Sequence, residues 1–269
     1  MSHTLHFPMG KDFNMQFYAS LSGEPKPPFI YPHHIEKEIE LFILVDGDVS
    51  FAVESRVYKM KRGDIIVTRP NEMHHCIRNS TTVNRHYCFH FDPSCDSIFS
   101  AFLDHAFGTG NLISPTEEDR ELILSLADRI VRSAEASGDE LLRLALTLEM
   151  LAVVKRGIGE RPNPEKLPAT LESVLTEIDE HLSDLSSFDE VCARHFISRS
   201  TLTRLFKKHL GTTPQMYLES KRLAAAGRML ESGTSVSATC RAIGFSDTSS
   251  FIRLFKRRFG ETPLKYAQR

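Results

Sequence analysis

Along the chain the spacing of apolar residues changes period twice, and each change marks a different kind of structure. From about residue 33 to 91, apolar and polar positions alternate and turn residues interrupt them at close intervals. Alternation sends successive side chains to opposite faces of an extended chain. It predicts short strands at Ile39 to Val45, Val49 to Val53, Val57 to Met60, Ile65 to Thr68, His74 to Arg78 and Val83 to Phe91. Asp46-Gly47, between the first two, is a hairpin signal, because these residue types tolerate the positive φ of a tight turn. Short strands with Gly and Pro punctuation point to a sandwich or barrel rather than a βαβ sheet. On the last strand Tyr87, Phe89 and Phe91 share one face and His86, Cys88 and His90 the other, and either face is suited to line a cavity.

Residues 98 to 158 change to a helical period. Leu122, Leu126, Ala127 and Ile130 form one stripe, and Leu141, Ala145, Leu148, Leu151 and Ala152 a second, with Ser137-Gly138-Asp139 as the turn between them. Two antiparallel helices with broad apolar faces need partner surfaces. One face is assigned to their own β domain and the other to a homodimer contact. Period is lost again over 157 to 168, where three prolines and two glycines predict a linker. Residues 1 to 32, polar and bearing Pro25, Pro27, Pro28 and Pro32, read as an arm. The expected division is therefore an arm at 1–32, a β-rich domain with a helical hairpin at 33–158, a linker at 159–169 and an all-helical domain at 170–269.

The helical domain contains a duplication. The stretch from Ser198 to Gly211 returns 49 residues later as Asp247 to Gly260. Laid without gaps over 195–218 and 244–267, the copies agree at ten of 24 positions, Phe196/Phe245 among them. Ordinary residue usage gives roughly one or two. Ser198 and Asp247 are N-cap types, Leu202, Leu205 and Phe206 (Phe251, Leu254 and Phe255) form an inward stripe, and Gly211 and Gly260 suit a left-handed stop. A shorter helical segment precedes each, Phe188 to His195 and Ser235 to Ile243, joined by a turn of about three residues. This is helix-turn-helix geometry, in which the second helix enters the major groove.

Charge strengthens that reading. Residues 185–269 hold 15 Lys and Arg against 6 Asp and Glu, a balance of +9, and the rest of the chain carries −11, so a net charge of −2 conceals a basic end. The groove-facing set is Arg199, Ser200, Thr203 and Arg204 on the first helix and Thr248, Ser249, Ile252 and Arg253 on the second. Lys207, Lys208, Lys256, Arg257 and Arg258 lie further along, where phosphates are expected. The alternative is that Arg204 and Arg253 close salt bridges to Asp189, Glu190 or Asp247 within their own domain.

These residues resemble the DNA-binding domain of the AraC/XylS family of transcriptional regulators over roughly 170–269. The bridge Arg222-Leu-Ala-Ala-Ala226-Gly-Arg-Met-Leu230, the run Gly244-Phe245-Ser-Asp247, the helix Phe251-Ile-Arg253-Leu-Phe255-Lys256 and the close Gly260-Glu-Thr-Pro263-Leu-Lys-Tyr266 carry the likeness. Phe196 stands where the family's first turn has Gly, and Thr239 where Ile is usual. The resemblance implies base reading by the helix positions named above, with double-stranded DNA and RNA polymerase as partners.

The β-rich part resembles a cupin barrel: His34-Ile-Glu36, Glu40 and Gly47 follow the first cupin motif, and Pro70, Glu72, His75 and Asn79 the second. The resemblance implies a small-molecule sensor domain and a metal set at His34, Glu36, Glu40 and His75, with Glu in place of the middle His. The alternative is that these residues are relics turned to polar contacts with an effector. On that reading His34, Glu40, His75, His86 and His90 are ligand-binding, with no cofactor and no metal ligand assigned.

The remaining composition sets bounds. Five cysteines without a C-x-x-C pair argue neither a disulfide framework nor a zinc knuckle. No basic and apolar leader and no 18-residue apolar run occur, so a cytoplasmic protein without membrane contact is expected. The expected architecture is a cupin-like β-barrel with a helical dimerisation hairpin, followed by a tandem helix-turn-helix domain. The expected function is an effector-controlled, dimeric transcriptional regulator. A metal-dependent cupin enzyme fused to a DNA-binding module, and an architectural DNA-binding protein whose barrel only dimerises, are the alternatives.

Overall fold

The computed structural model describes residues 5–8, 14–21, 34–93, 96–135, 140–159, 162–185 and 187–268. The chain divides into two units, one of Met1–Phe29, Lys37–Pro70 and Cys76–Glu165, the other of Ile30–Glu36, Asn71–His75 and Lys166–Arg269.

The alternating region forms the strands its pattern predicts: β3 (Ile39–Asp46), β4 (Val49–Val53), β5 (Arg56–Lys59), β6 (Ile65–Thr68), β7 (His74–Arg78) and β8 (Arg85–Phe91). Two further strands, β1 (Leu5–Pro8) and β2 (Asn14–Ser20), come from the region read as an arm, and β9 (Leu112–Ile113) completes the set among the described residues. The strands form a six-stranded sheet in the order β1-β2-β8-β3-β6-β9 and a three-stranded sheet in the order β5-β4-β7. They are therefore two separate antiparallel sheets and not the closed barrel expected. β2 lies along β8, with Met15 opposite Phe91 and Phe17 opposite Phe89.

Each face of the larger sheet has its own core. Met15, Phe17, Leu41, Ile43, Phe89 and Phe91 pack against apolar residues of α2 (Glu117–Glu135) and α3 (Glu140–Arg156), including Leu126, Ile130, Met150 and Val154, all buried. Phe99 and Phe102 of α1 (Asp96–Leu103) join them. On the opposite face Phe42, Leu44 and Ile66 meet Phe51, Tyr58 and Met60. Side chains of this size each contribute about 1.5–3 kcal/mol when buried, so both faces stabilise the sheet.

α3 is apolar on more than its inner side. Leu146, Met150, Leu151, Val153 and Val154 are buried. Leu141 (71% exposed), Leu148 (42%), Ala145 and Ala152 share the outward stripe, and Leu142 is exposed beside them. The stripe read from sequence is thus the outward one, Leu151 excepted. The expected turn at 137–139 lies outside the described residues. Of the expected linker, Glu165 donates its backbone N–H to Val57 O at 2.6 Å, and Leu167 is buried just before α4 (Ala169–Glu180).

The second unit contains α4, α5 (Phe188–Arg194), α6 (Arg199–Leu210), α7 (Pro214–Glu231), α8 (Val236–Ala242), α9 (Thr248–Phe259) and α10 (Pro263–Tyr266). The repeated Thr-Pro-x-x-Tyr has a physical role in both copies. Thr213 and Thr262 cap the next helix through their hydroxyls, and Pro214 and Pro263 occupy a first turn that needs no N–H. Tyr217 and Tyr266 then set their rings edge-on to Phe206 and Phe255, at 5.5 and 5.3 Å. Arg222 on α7 donates to the carbonyls of Leu182 and Leu185, satisfying acceptors left over beyond the end of α4.

Candidate nucleic-acid interface and sensor face

Each recognition helix is started by a side chain and stopped by a glycine. Ser198 accepts from the N–H of Thr201 at the head of α6, and Asp247 accepts from those of Ser249 and Ser250 at the head of α9. Hydrogen bonds from Ser250 and then Ser249 hold the Asp247 carboxyl below the usual carboxylate range. Gly211 and Gly260 end the helices at φ 65° and 76°, the left-handed region that costs glycine nothing.

Between those ends, Leu202, Phe206 and Leu210 are buried on α6, and Phe251 and Phe255 on α9. Their opposite faces are open. Arg199, Ser200, Thr203, Arg204, Lys207 and Lys208 line one shallow groove on α6. On α9, Thr248, Ser249, Arg253, Lys256 and Arg257 are exposed and Ile252 is half-buried. Among the described residues neither Arg204 nor Arg253 closes an ion pair, and Arg253 donates to Ser250 Oγ at 3.2 Å. The nearby acids are engaged elsewhere: Asp189 faces Arg199 at 3.2 Å and Glu190 faces Arg194. Arg258 differs from the expectation. It is turned inward, where burial pushes its guanidinium down to about 10.

The turns correct the ungapped alignment. Ile197 N donates to Cys192 O at 3.0 Å, and Phe245 N to Cys240 O at 3.1 Å. Phe196 and Gly244 both take positive φ, at 54° and 77°. The first helix and turn therefore repeat at a spacing of 48, the recognition helices at 49, and the second turn is one residue longer. Phe196 is equivalent to Gly244, and its match with Phe245 is an accident of register. At Gly244 a Cβ would lie 1.9 Å from Ser183 O, whereas Phe196 is 95% exposed. Thr239, in place of the usual Ile, is fully buried.

The polar face of β8 lies on the inner side of the larger sheet. The register sets Gln16, His90, Glu40 and Thr68 side by side across β2, β8, β3 and β6. Glu40 is buried, and its Oε2 lies 3.6 Å from His90 Nε2. His86 stacks on Phe42 at 4.7 Å, and burial pushes its imidazole down to about 4, leaving it neutral near pH 7. Burial pushes the nearby Cys76 thiol up to about 12. His34 and His75, the other two residues expected to bind ligand, are counted with the second unit. There His34 pairs with His74 across a β-bridge, their rings 4.4 Å apart, and Glu36 lies 3.7 and 3.8 Å from their Nε2 atoms. His74 thus stands where the motif places His75, and His75 is fully buried.

Two family models agree with this two-part architecture. A family model described as an AraC-like ligand binding domain matches residues 19–151, and one described as a helix-turn-helix domain matches 191–269. The HTH-type transcriptional activator RhaS of Escherichia coli (strain SMS-3-5 / SECEC) is 25% identical over 260 residues, covering 89% of each chain. RhaS of Escherichia fergusonii is 25% identical over 251 residues with the same coverage. Among solved structures, ToxT from Vibrio cholerae O395 aligns over 96% of this chain and 98% of its own, at 13% identity and a TM-score of 0.39. With a ligand-binding domain followed by a helix-turn-helix DNA-binding domain, the chain belongs to the AraC family of transcriptional regulators.

Proposed function

We propose that this regulator is an effector-controlled activator in which α6 and α9 read bases through Arg204 and Arg253. The observation that carries the reading is the pair of guanidinium groups without ion pairs, each on the open face of a recognition helix and flanked by exposed hydroxyls. A guanidinium so placed pairs bidentately with guanine O6 and N7, worth about 1–3 kcal/mol of discrimination. Arg199, Ser200, Thr203, Thr248, Ser249 and Ile252 supply shorter contacts, and Lys207, Lys208, Lys256 and Arg257 meet phosphates. Selection of binding sites from a random library tests this. Arg204→Ala is expected to relax the preference in one half of the site, and recovery of the parent motif would refute the assignment.

The effector site in this proposal is the inner face bearing Glu40, His86 and His90; His34 and His75, which belong to the second unit, are separate ligand-binding candidates. A buried carboxylate and a neutral imidazole beside Phe42 suit a small molecule with polar groups at one edge and an apolar remainder. A metabolite that raises the melting temperature of the parent but not of Glu40→Gln would support it. The outward stripe of α3 favours a homodimer, which would bring two DNA-binding domains to adjacent half-sites. The names of the relatives favour activation, hence contact with RNA polymerase, work in the cytoplasm and no enzymatic step.

A further inference from the structure

We propose that Glu40, Cys88 and His90 bind a divalent transition-metal ion of the zinc type. Cys88 and His90 are alternate residues of β8 and so share a face, and Glu40 on β3 is the direct cross-strand partner of His90. One ligand atom from each lies within 4.8 Å of the others. His90 Nε2 is 3.6 Å from Glu40 Oε2 and 3.8 Å from Cys88 Sγ.

The 3.8 Å contact of thiol and imidazole is within hydrogen-bond range for sulfur, but the 3.6 Å separation of imidazole and carboxylate is longer than a direct bond. A direct N–H···O bond between imidazole and carboxylate would bring the atoms to about 2.7–3.2 Å. A tetrahedral zinc ion, with bonds of about 2.3 Å to sulfur and about 2.0–2.2 Å to nitrogen and oxygen, sets its S and N ligands roughly 3.6 Å apart and its N and O ligands roughly 3.4 Å apart. The two distances from His90 lie within a few tenths of an ångström of the second pattern, and the carboxylate and thiol atoms lie within 4.8 Å of each other. Donor type agrees: thiolate, imidazole and carboxylate together suit a borderline-soft dication, and three protein ligands leave a fourth position open.

Burial bears on the site as well. Glu40 is 4% and Cys88 1% exposed, so an ion held between them is shielded from water. A dication balances the carboxylate and the thiolate that binding creates. Binding releases the Cys88 thiol proton to solvent and uses the lone pair of His90 Nε2, so affinity falls about tenfold per pH unit below the thiol's pKa. Neither Cys88 nor His90 belongs to the cupin motifs, so this set shares only Glu40 with the one that resemblance implies. It stands whether or not the same face holds the effector.

The test uses the full-length chain freed of metal by a chelator and titrated with Co²⁺, then Zn²⁺. Expected are one Co²⁺ per chain, a thiolate-to-cobalt charge-transfer absorption in the near ultraviolet, and its displacement by one equivalent of Zn²⁺. Cys88→Ser is expected to abolish the absorption. Glu40→Gln is expected to keep it and weaken Zn²⁺ binding at least tenfold, and Cys76→Ser to change neither. Absence of thiolate absorption in the parent overturns the proposal, as does absorption that survives Cys88→Ser. Cobalt bound without that absorption would place the ion elsewhere, for instance among His34, Glu36 and His74, and also overturns it. If Cys88→Ser does not fold, His90→Gln decides, and affinity within threefold of the parent is the refuting result.

Discussion

A phenylalanine with positive φ and almost no contact is an uncompensated cost. At φ 54° the Phe196 backbone is strained by about 1–2 kcal/mol, and at 95% exposure its ring recovers nothing by packing. Glycine would relieve the strain at a cost of up to about 1 kcal/mol in unfolded-state entropy. Phe196→Gly should therefore stabilise the protein by roughly 0.5–1 kcal/mol, read as a higher urea midpoint with an unchanged slope. A lower midpoint would mean that the ring has a partner in solution. The sequence showed that Phe196 departs from the family's glycine, but not that the turn would keep its conformation regardless. That outcome depends on Ile197 N reaching Cys192 O, a bond that does not involve the side chain at 196.

Among elements, the strands from Ile39 to Phe91 were legible because each has one or both faces buried, and burial writes itself into the sequence as alternation or an apolar run. β2 was not, although Met15, Phe17 and Ala19 alternate inward. Its partner β8 lies some seventy residues away, and three apolar residues in a polar, proline-bearing segment do not reveal so distant a pairing. α3 failed differently: a helix apolar on several sides has no period that tells inside from outside. Its outward stripe predicts that Leu148→Glu will leave helix content and the melting of the isolated chain nearly unchanged and shift sedimentation from dimer to monomer at micromolar concentration. Dimers of that variant would rule out the stripe as the contact. The recognition helices were the most legible elements. The same physics, caps outside an apolar stripe, wrote them twice, whereas the extra residue in the second turn was hidden by an alignment drawn without gaps.

For the molecule as a whole, the net charge of −2 misleads, because the basic excess of +9 is confined to residues 185–269. Binding to duplex DNA by the full chain should release condensed counterions, with affinity falling about 10³-fold or more between 50 and 200 mM salt if six or more phosphates are neutralised. Mobility-shift titration across that range checks this, and a flat response would remove the phosphate contacts assigned to Lys207, Lys208, Lys256 and Arg257. No described helix is long and apolar enough to cross a membrane. The inequality of the two turns bears on how freely the duplicated units can diverge. In a library carrying every substitution at every position, Phe196 should accept most residues other than proline and the β-branched ones, so that its column of variants is mostly filled. The column at Gly244 should be almost empty, because any side chain there would drive its first carbon into the Ser183 carbonyl. The first helix-turn-helix unit can therefore drift at its corner, and the second is held to one residue by a neighbour outside the repeat.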